Sequence, residues 1–344
     1  MFNPSLLSRY GWKPFFQQQL SLQEFESCQI ARVSSVHQGH IECLNETGYF
    51  TLPLLASSPR LATGDWILID EKQHISRCLE RFSQIARKSA GSQLETQLMV
   101  SNVDTAFIVC SLNDDFSLNR IERYLALCKE TDITPVVVLT KQDLCADWET
   151  QVEQVQQLDA QLAVFAVNAL DAGSLRPLKS FCGKGNTLCF LGSSGVGKST
   201  LVNSLSDKSE QATGNIRESD SKGRHTTTQR HIIPLEDGGV LIDTPGMREL
   251  QIVNCEEGIK HTFTDIESLA QQCKFNDCRH SNEPGCAVLR AVEAGELDRR
   301  RLENYQKLLR EEAYNSASIA EKREKERQFG KLCKTVMKFK NNDK

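Results

Sequence analysis

The sequence predicts a multidomain chain: a small N-terminal β-barrel, a central α/β domain on a largely parallel sheet, and a helical C-terminal part with a metal-binding loop. Three observations predict it. Short alternating runs recur between Cys28 and Leu79, apolar strands alternate with amphipathic helices from about Leu98, and Cys273, Cys278, His280 and Cys286 crowd into one loop. Short strands separated by turn residues are the pattern of a small barrel. Strands alternating with helices imply a parallel sheet whose ligands bind at the carboxyl ends of its strands.

The 344 residues leave room for two or three domains. An apolar content of 39% and a charged content of 25% are those of a soluble globular chain. No apolar run approaches membrane-spanning length, and Met1–Tyr10 lacks a basic start followed by a long apolar run, so a cytoplasmic protein without membrane contact is expected. Most of the thirteen cysteines are scattered singly, which is not a disulfide framework. A net charge of −4 speaks against a wholly basic nucleic-acid binder but leaves room for a local basic patch.

Residues 1–25 mix Leu6, Leu7, Trp12, Phe15 and Phe16 with polar residues and read as an arm packing on the next domain. Residues 26–92 carry five alternating runs, beginning at Gln29, His40, Tyr49, Trp66 and Ile75, a size that fits an OB-like barrel. Arg77, Arg81, Arg87 and Lys88 make its exit basic, which suits RNA or a solvated surface equally. Residues 98–256 alternate strands at Val103–Cys110, Pro135–Leu139, Leu162–Val167, Thr187–Leu191 and Val240–Ile242 with helices at Leu118–Lys129, Glu149–Leu158 and Ser174–Phe181. Residues 257–344 show two helices, Ala287–Glu293 and Asp298–Tyr314, and a charged end.

The central domain carries the chemistry. Gly192-Ser193-Ser194-Gly195-Val196-Gly197-Lys198-Ser199 is a G-x-x-x-x-G-K-S phosphate loop between a buried strand and a helix opened by Thr200 and Leu201. Its glycines let backbone N–H groups turn inward on phosphate oxygens. Lys198 supplies charge to the β- and γ-phosphates, and Ser199 offers a hydroxyl to Mg²⁺. Thr140-Lys141-Gln142-Asp143 follows another strand and resembles the guanine-specificity motif of GTPases. A carboxylate there accepts from guanine N1–H and the exocyclic amine, a donor pair that adenine lacks. Asn168-Ala169, after the next strand, stands where such proteins place a backbone N–H on guanine O6. Asp243-Thr244-Pro245-Gly246 reads as D-x-x-G, with Asp243 holding Mg²⁺ through water and the Gly246 N–H meeting the γ-phosphate. Between them, His225 precedes Thr226-Thr227-Thr228. One of these hydroxyls is placed for Mg²⁺; Thr227 is the working assignment, with its two neighbours open.

Cys273-x4-Cys278-x-His280-x5-Cys286 is a closed Cys₃His set, read as one structural Zn²⁺. Beyond Gln328, Lys331, Lys334, Lys338 and Lys340 interleave with Phe329 and Phe339, a composition suited to an RNA backbone.

The guanine motif precedes the phosphate loop, the reverse of the Ras-like order, as a circular permutation would leave it. This order resembles one family: RsgA, also called YjeQ or EngC, the circularly permuted bacterial GTPases that depend on the small ribosomal subunit. Gly64-Asp65-Trp66, the Arg120–Leu125 segment, His225–Thr228, Asp243–Gly246 and Glu283–Cys286 carry the resemblance, which spans nearly the whole chain. It implies an OB barrel, a permuted GTPase domain and a zinc subdomain, with zinc on the same four ligands. It also implies a monomer that binds GTP or GDP and the 16S rRNA of the 30S subunit, assists late maturation and releases an assembly factor. Hydrolysis is expected to be slow alone and stimulated by the subunit. Met247 occupies the place where Ras-like proteins put a water-orienting Gln, which leaves His225 as the candidate catalytic residue. Two alternatives stand beside this reading: a GTP-regulated protein acting on another RNA, and a different P-loop NTPase.

Overall fold

The computed structural model describes residues 4–88, 96–113, 115–206, 230–243 and 252–317. It divides into two compact units, one joining residues 1–86 with 98–250, the other joining 87–97 with 251–344.

The first unit opens with an antiparallel sheet of five strands: β1 (Gln29–Val36), β2 (His40–Asn45), β3 (Gly48–Pro53), β4 (Trp66–Ile69) and β5 (Ile75–Cys78), in the order β3-β2-β1-β4-β5. This is the strand sequence of an OB-like barrel. Asn45 sets the β2–β3 turn by accepting from the Thr47 N–H and hydroxyl at 2.9 and 2.8 Å. The register shifts between Val33 and Ser35 in β1. Such a bulge bends a strand and helps a sheet to curl.

Both faces of this sheet are covered. Ala31, Val33, Ile41, Cys43, Leu52, Ile67 and Ile69 fill one side. Ile30, Trp66 and Leu68 face the other, where Leu7, Trp12 and Phe16 of the arm pack on them. The arm is three short helices, Pro4–Leu7, Pro14–Gln17 and Leu22–Ser27, the first continuing into a 3₁₀ turn. Trp12 meets Trp66 edge to face with ring centroids 4.9 Å apart. Arg77 and Arg81 of the basic exit are tied down: Arg77 forks onto Glu24, with its Nε 2.6 Å from Oε1, and Arg81 onto Asp65 at 2.6 and 2.7 Å.

A ribbon of β6 (Gln84–Lys88) and β7 (Thr96–Ser101), which sequence pattern does not announce, leads out of the barrel. A six-stranded sheet follows: β8 (Thr105–Ser111), β9 (Thr134–Thr140), β10 (Ala163–Val167), β11 (Thr187–Leu191), β12 (His231–Pro234) and β13 (Val240–Asp243), in the order β10-β9-β8-β11-β13-β12. All pairs are parallel except β12–β13. Every residue of β8 and β11 is buried, the mark of strands covered on both faces. Ile108, Val137, Cys189 and Ile242 alternate onto one face, beneath Ile121, Leu125 and Cys128 of the helix Leu118–Glu130. Phe107, Val136, Phe190 and Leu241 alternate onto the other, with Leu201 and Leu205 of the helix after the phosphate loop. Fully burying one such side chain contributes roughly 1.5–3 kcal/mol.

Two helices differ from expectation. Trp148–Gln156 begins and ends slightly earlier than the pattern suggested, and the expected Ser174–Phe181 helix is a single turn, Arg176–Lys179. Pro177 sits at its start, and the Asp171 carboxylate holds the N–H groups of Gly173 and Ser174 outside it.

The barrel and the six-stranded sheet meet at Gly64-Asp65-Trp66. Gly64 is left-handed at φ +102°, and a Cβ there would collide with the Ser101 carbonyl oxygen. Asp65 is fully buried, accepting from Arg81, the Ser101 hydroxyl at 2.6 Å and the Ala62 N–H at 2.7 Å. Ile232 of β12 is held by both hydroxyls facing it: Tyr49 donates to its carbonyl at 3.2 Å, and Ser34 accepts from its N–H at 3.4 Å.

The second unit holds four helices among its described residues: Glu256–Thr262, Thr264–Ala270, Ala287–Glu293 and Arg299–Ser316. The first two were not expected. Phe263 at their junction is fully buried, 5.4 Å from the Tyr305 ring and 4.7 Å from the Arg301 guanidinium, which also grips Asp265 at 2.7 and 2.9 Å. No described helix is long and apolar enough to cross a membrane.

Candidate functional site: a phosphate loop, two base loops and a metal cluster

Three loops leave the same edge of the six-stranded sheet. β11 ends at Leu191, and the chain turns through Gly192–Gly197 into the helix Lys198–Leu205. Gly192 sits at φ +149°, and a Cβ there would collide with the Val109 carbonyl oxygen of β8, so the tight exit requires glycine. Lys198 folds back over its own loop, donating to the carbonyls of Gly192, at 2.7 Å, and Ser193. The Ser199 side, Ser194 and Gly195 are exposed, while Val196 is buried as the anchor of the loop.

β9 ends at Thr140, in register with Ser111 of β8 and Val167 of β10. Thr140 is buried, and its hydroxyl donates to the Val196 carbonyl at 2.6 Å. The first residue of T-K-Q-D is therefore bolted to the phosphate loop. Lys141 then turns left-handed at φ +62°, and a single 3₁₀ turn, Gln142–Leu144, lifts Asp143 into solvent. β10 ends at Val167, and Asn168 organises the next loop. Its Oδ1 accepts from the Leu170 N–H at 3.0 Å, and its own N–H donates to the Ser174 hydroxyl at 2.9 Å. Asn in place of the usual Ser thus closes the turn by a side-chain-to-backbone bond. Asp243, half-buried, ends β13 beside the β11 strand. The exposed Ser199 hydroxyl and the Asp243 carboxylate are hard oxygen donors of the kind Mg²⁺ takes.

The metal cluster lies in the second unit. The ligand atoms of Cys273, Cys278, His280 and Cys286 all lie within 4.8 Å of one another. Cys273 Sγ is 3.8 Å from Cys286 Sγ and 3.7 Å from His280 Nδ1, which is 3.4 Å from Cys286 Sγ. Bonds of about 2.3 Å to sulfur and 2.0 Å to nitrogen put the corners of a zinc tetrahedron roughly 3.5–3.8 Å apart, so Cys273, His280 and Cys286 stand near tetrahedral spacing, with the Cys278 sulfur in the same cluster. Burial lowers the His280 pKa and favours the neutral imidazole that a ligand must be. The Ala287 and Leu289 N–H groups each point at a thiol sulfur, Cys273 and Cys286, from 3.4 Å. Glu283 organises the loop that carries His280. Its carboxylate accepts from the N–H groups of Ser281, Arg279 and Asn282 at 2.8, 3.0 and 3.1 Å, which pull its pKa down to about 2.

Comparison with known proteins agrees with this geometry. The model of the RsgA GTPase family matches residues 78–253. The small ribosomal subunit biogenesis GTPase RsgA 2 of Vibrio vulnificus is 54% identical over 333 residues, covering 97% of this chain and 95% of its own. The chain belongs to the RsgA GTPase family.

Its relatives include the small ribosomal subunit biogenesis GTPase RsgA of Mesorhizobium japonicum, 43% identical over 320 residues, with 91% of this chain and 92% of the relative covered. Among solved structures, YjeQ from Thermotoga maritima superposes with a TM-score of 0.61 at 25% identity, covering 83% of this chain and 98% of that one. YloQ, described as a circularly permuted GTPase, superposes with a TM-score of 0.59 at 25% identity, covering 85% and 97%. As an RsgA GTPase, the protein is an enzyme of GTP hydrolysis, and its sheet order is that of a permuted GTPase. Taken from β12 through β13, β11, β8, β9 and β10, the strands stand in the Ras-like spatial order although the chain visits them in another.

The expected site residues sort accordingly. Thr140–Asp143, Asn168, Ala169, Gly192–Thr200 and Asp243 stand at one sheet edge, and the four cysteine and histidine ligands form one cluster. His225, Thr226–Thr228, Gly246 and Met247, like the basic run beyond Gln328, lie outside the described residues. Sequence reading missed Ser174, Ser204 and the clasp made by Thr140. Each is a short hydroxyl whose partner is far along the chain or in a turn, and no local pattern marks it.

Proposed function

We propose that this RsgA GTPase binds the small ribosomal subunit and assists its late maturation. The observation that carries the nucleotide reading is the clasp between Thr140 and Val196, which joins the base loop to the phosphate loop. The relatives' shared name, small ribosomal subunit biogenesis GTPase, supports the subunit as partner. In this reading Asp143 accepts from guanine N1–H and the exocyclic amine, Lys141 lies along the base, and Gln142 spaces the two. The Ala169 N–H meets guanine O6 from the turn that Asn168 builds. Gly192, Ser193, Ser194, Gly195, Val196 and Gly197 present N–H groups to the phosphates, with Lys198 and Thr200 completing the cradle. Ser199, Thr227 and Asp243 hold Mg²⁺, and the Gly246 N–H meets the γ-phosphate. Mg²⁺, when bound with GTP, neutralises charge developing on the phosphate oxygens. Cys273, Cys278, His280 and Cys286 hold one structural Zn²⁺.

The working domains are the arm 1–25, an RNA-binding OB barrel 26–92, the permuted GTPase domain 98–256 and the zinc subdomain with its basic tail 257–344. The protein acts in the cytoplasm as a monomer, contacts 16S rRNA and helps release an assembly factor. His225 orients the attacking water when the protein is bound to the subunit. GTP turnover with and without purified small subunits tests the proposal. Strong stimulation by the subunit is expected, and His225→Ala should lose about 10²–10⁴ of it while keeping GTP affinity. Equal turnover with and without subunits would remove the subunit from the mechanism.

A further inference from the structure

Ser204 lies near the end of the helix Lys198–Leu205, a turn and a half beyond the lysine of the phosphate loop. A serine inside a helix commonly bonds back to the carbonyl four residues earlier or faces solvent. Ser204 does neither. Its half-buried hydroxyl donates to the carbonyl of Ala169, 35 residues away, at 2.9 Å. The rest of that turn is fully committed. The Asn168 N–H donates to Ser174, Asn168 Oδ1 accepts from Leu170, and the Asn168 carbonyl accepts from the Asp171 N–H at 3.1 Å. Ala169 is only 8% exposed, yet among the described residues its N–H makes no hydrogen bond. A nearly buried backbone donor normally has a partner. With every neighbouring group anchored, this one is held in a fixed direction for an acceptor the protein does not supply.

We infer that Ser204 is a positioning residue for base recognition, acting through Ala169. Its hydroxyl holds the Ala169 carbonyl, and through it the residue itself, against the phosphate-loop helix, so that the Ala169 N–H on the other side of the same residue meets the six-position oxygen of a purine whose phosphates lie at the N-terminus of that helix. Six residues of helix, about 9 Å at 1.5 Å per residue, then set the spacing between the phosphate and base subsites. This rests on reading Ala169 as the donor to guanine O6. It adds that the donor's direction is imposed by the helix and not by the base loop alone.

The test compares GTP with 6-thio-GTP, whose sulfur is a weaker acceptor at the probed position, and with ITP, which lacks only the exocyclic amine read by Asp143. Affinities and turnover are measured for the full-length parent, Ser204→Ala and Ser204→Thr. In Ser204→Ala, GTP affinity should fall about 3–10-fold, the loss expected of one hydrogen bond, with kcat changed less. Its preference for GTP over 6-thio-GTP should fall by a similar factor, while its preference for GTP over ITP stays parental. Ser204→Thr, which keeps the hydroxyl, should restore the lost preference. If Ser204→Ala keeps the parental preference for GTP over 6-thio-GTP, whatever its thermal stability, the positioning role is overturned. If the parent itself does not distinguish the two nucleotides, the base contact at Ala169 fails and the role of Ser204 fails with it.

Discussion

Arg32 donates from Nη1 to the hydroxyl of Thr187 at 2.9 Å, so the buried cation of the N-terminal sheet ends on the first residue of the strand that carries the phosphate loop. The same guanidinium donates to the carbonyls of Tyr10, Gly64 and Asn102, the last two at 3.2 Å. It therefore spans the arm, the Gly64 joint and both sides of the boundary between the sheets. Burial pulls its pKa down to about 10, opposed by Asp104 and Asp65, and it remains charged at neutral pH.

Arg32→Met should cost about 3–5 kcal/mol, because it strands several buried acceptors at once. Arg32→Lys should recover little of this, since an ammonium cannot fork to four separated acceptors. Urea unfolding measures both. A loss under about 1 kcal/mol for the methionine variant would show the junction to be held by packing alone.

The Glu24–Arg77 pair gives a pH signature. The Arg77 hydrogen bonds, followed by the Ser21 N–H, pull the Glu24 pKa from 4.5 to about 2. A carboxylate depressed in the folded state stabilises fully above its unfolded value and loses that contribution as pH falls through the folded one. Glu24→Gln should therefore be less stable than the parent at pH 7, by about 1 kcal/mol or less for so accessible a pair. The gap should close between pH 4.5 and about 2. A gap that persists unchanged at pH 2 would assign the loss to the cap and not to the charge.

Asp143→Asn should lower GTP affinity at least about 10²-fold and shift preference toward XTP, whose base accepts where guanine donates. Competition binding against GTP, XTP and ATP reads this directly. Parental preference in the variant would exclude Asp143 as the base acceptor.

Metal removal by a strong chelator, or Cys278→Ser, should raise amide exchange across Cys273–Glu293, because a closed metal site contributes folding energy to its own loop. GTP binding should fall less than twofold. Metal analysis of the purified protein should give one zinc per chain. Absence of bound metal, or loss of nucleotide binding first, would contradict the structural assignment.

The phosphate loop, T-K-Q-D and the Cys₃His spacing were legible because each is local: the chemistry lies in residue types a few positions apart. Long-range closures were not. Thr140 and Val196 are 56 residues apart, and Arg32 and Thr187 are 155 apart. Arg32 sits in an alternating run where a charged residue reads as the solvent side of a half-buried strand. It is buried because the arm and the second sheet cover that side. Arg77 and Arg81 read as a basic exit suited to RNA, yet both are spent on carboxylates that sequence distance hides. The helices Glu256–Thr262 and Thr264–Ala270 escaped because Gly258 and few apolar residues blur their period, and Phe263 between them earns its burial only through Tyr305 and Arg301.

The permuted strand order has a consequence in time. Strands β8 to β10 are complete once Val167 has been made, whereas β11, the other neighbour of β8, is complete only at Leu191. At about 5–20 residues per second, synthesis needs roughly 1–5 s to cross that gap. Throughout it, β8, destined to be buried on both faces, has β9 on one side and no partner on the other. An open apolar edge invites pairing with other chains. A GTPase in the Ras-like order makes its phosphate strand first and closes outward from it. Here the nascent chain holds half a sheet, shielded only by the N-terminal sheet already folded ahead of it, until the strand that binds phosphate arrives to fill the middle.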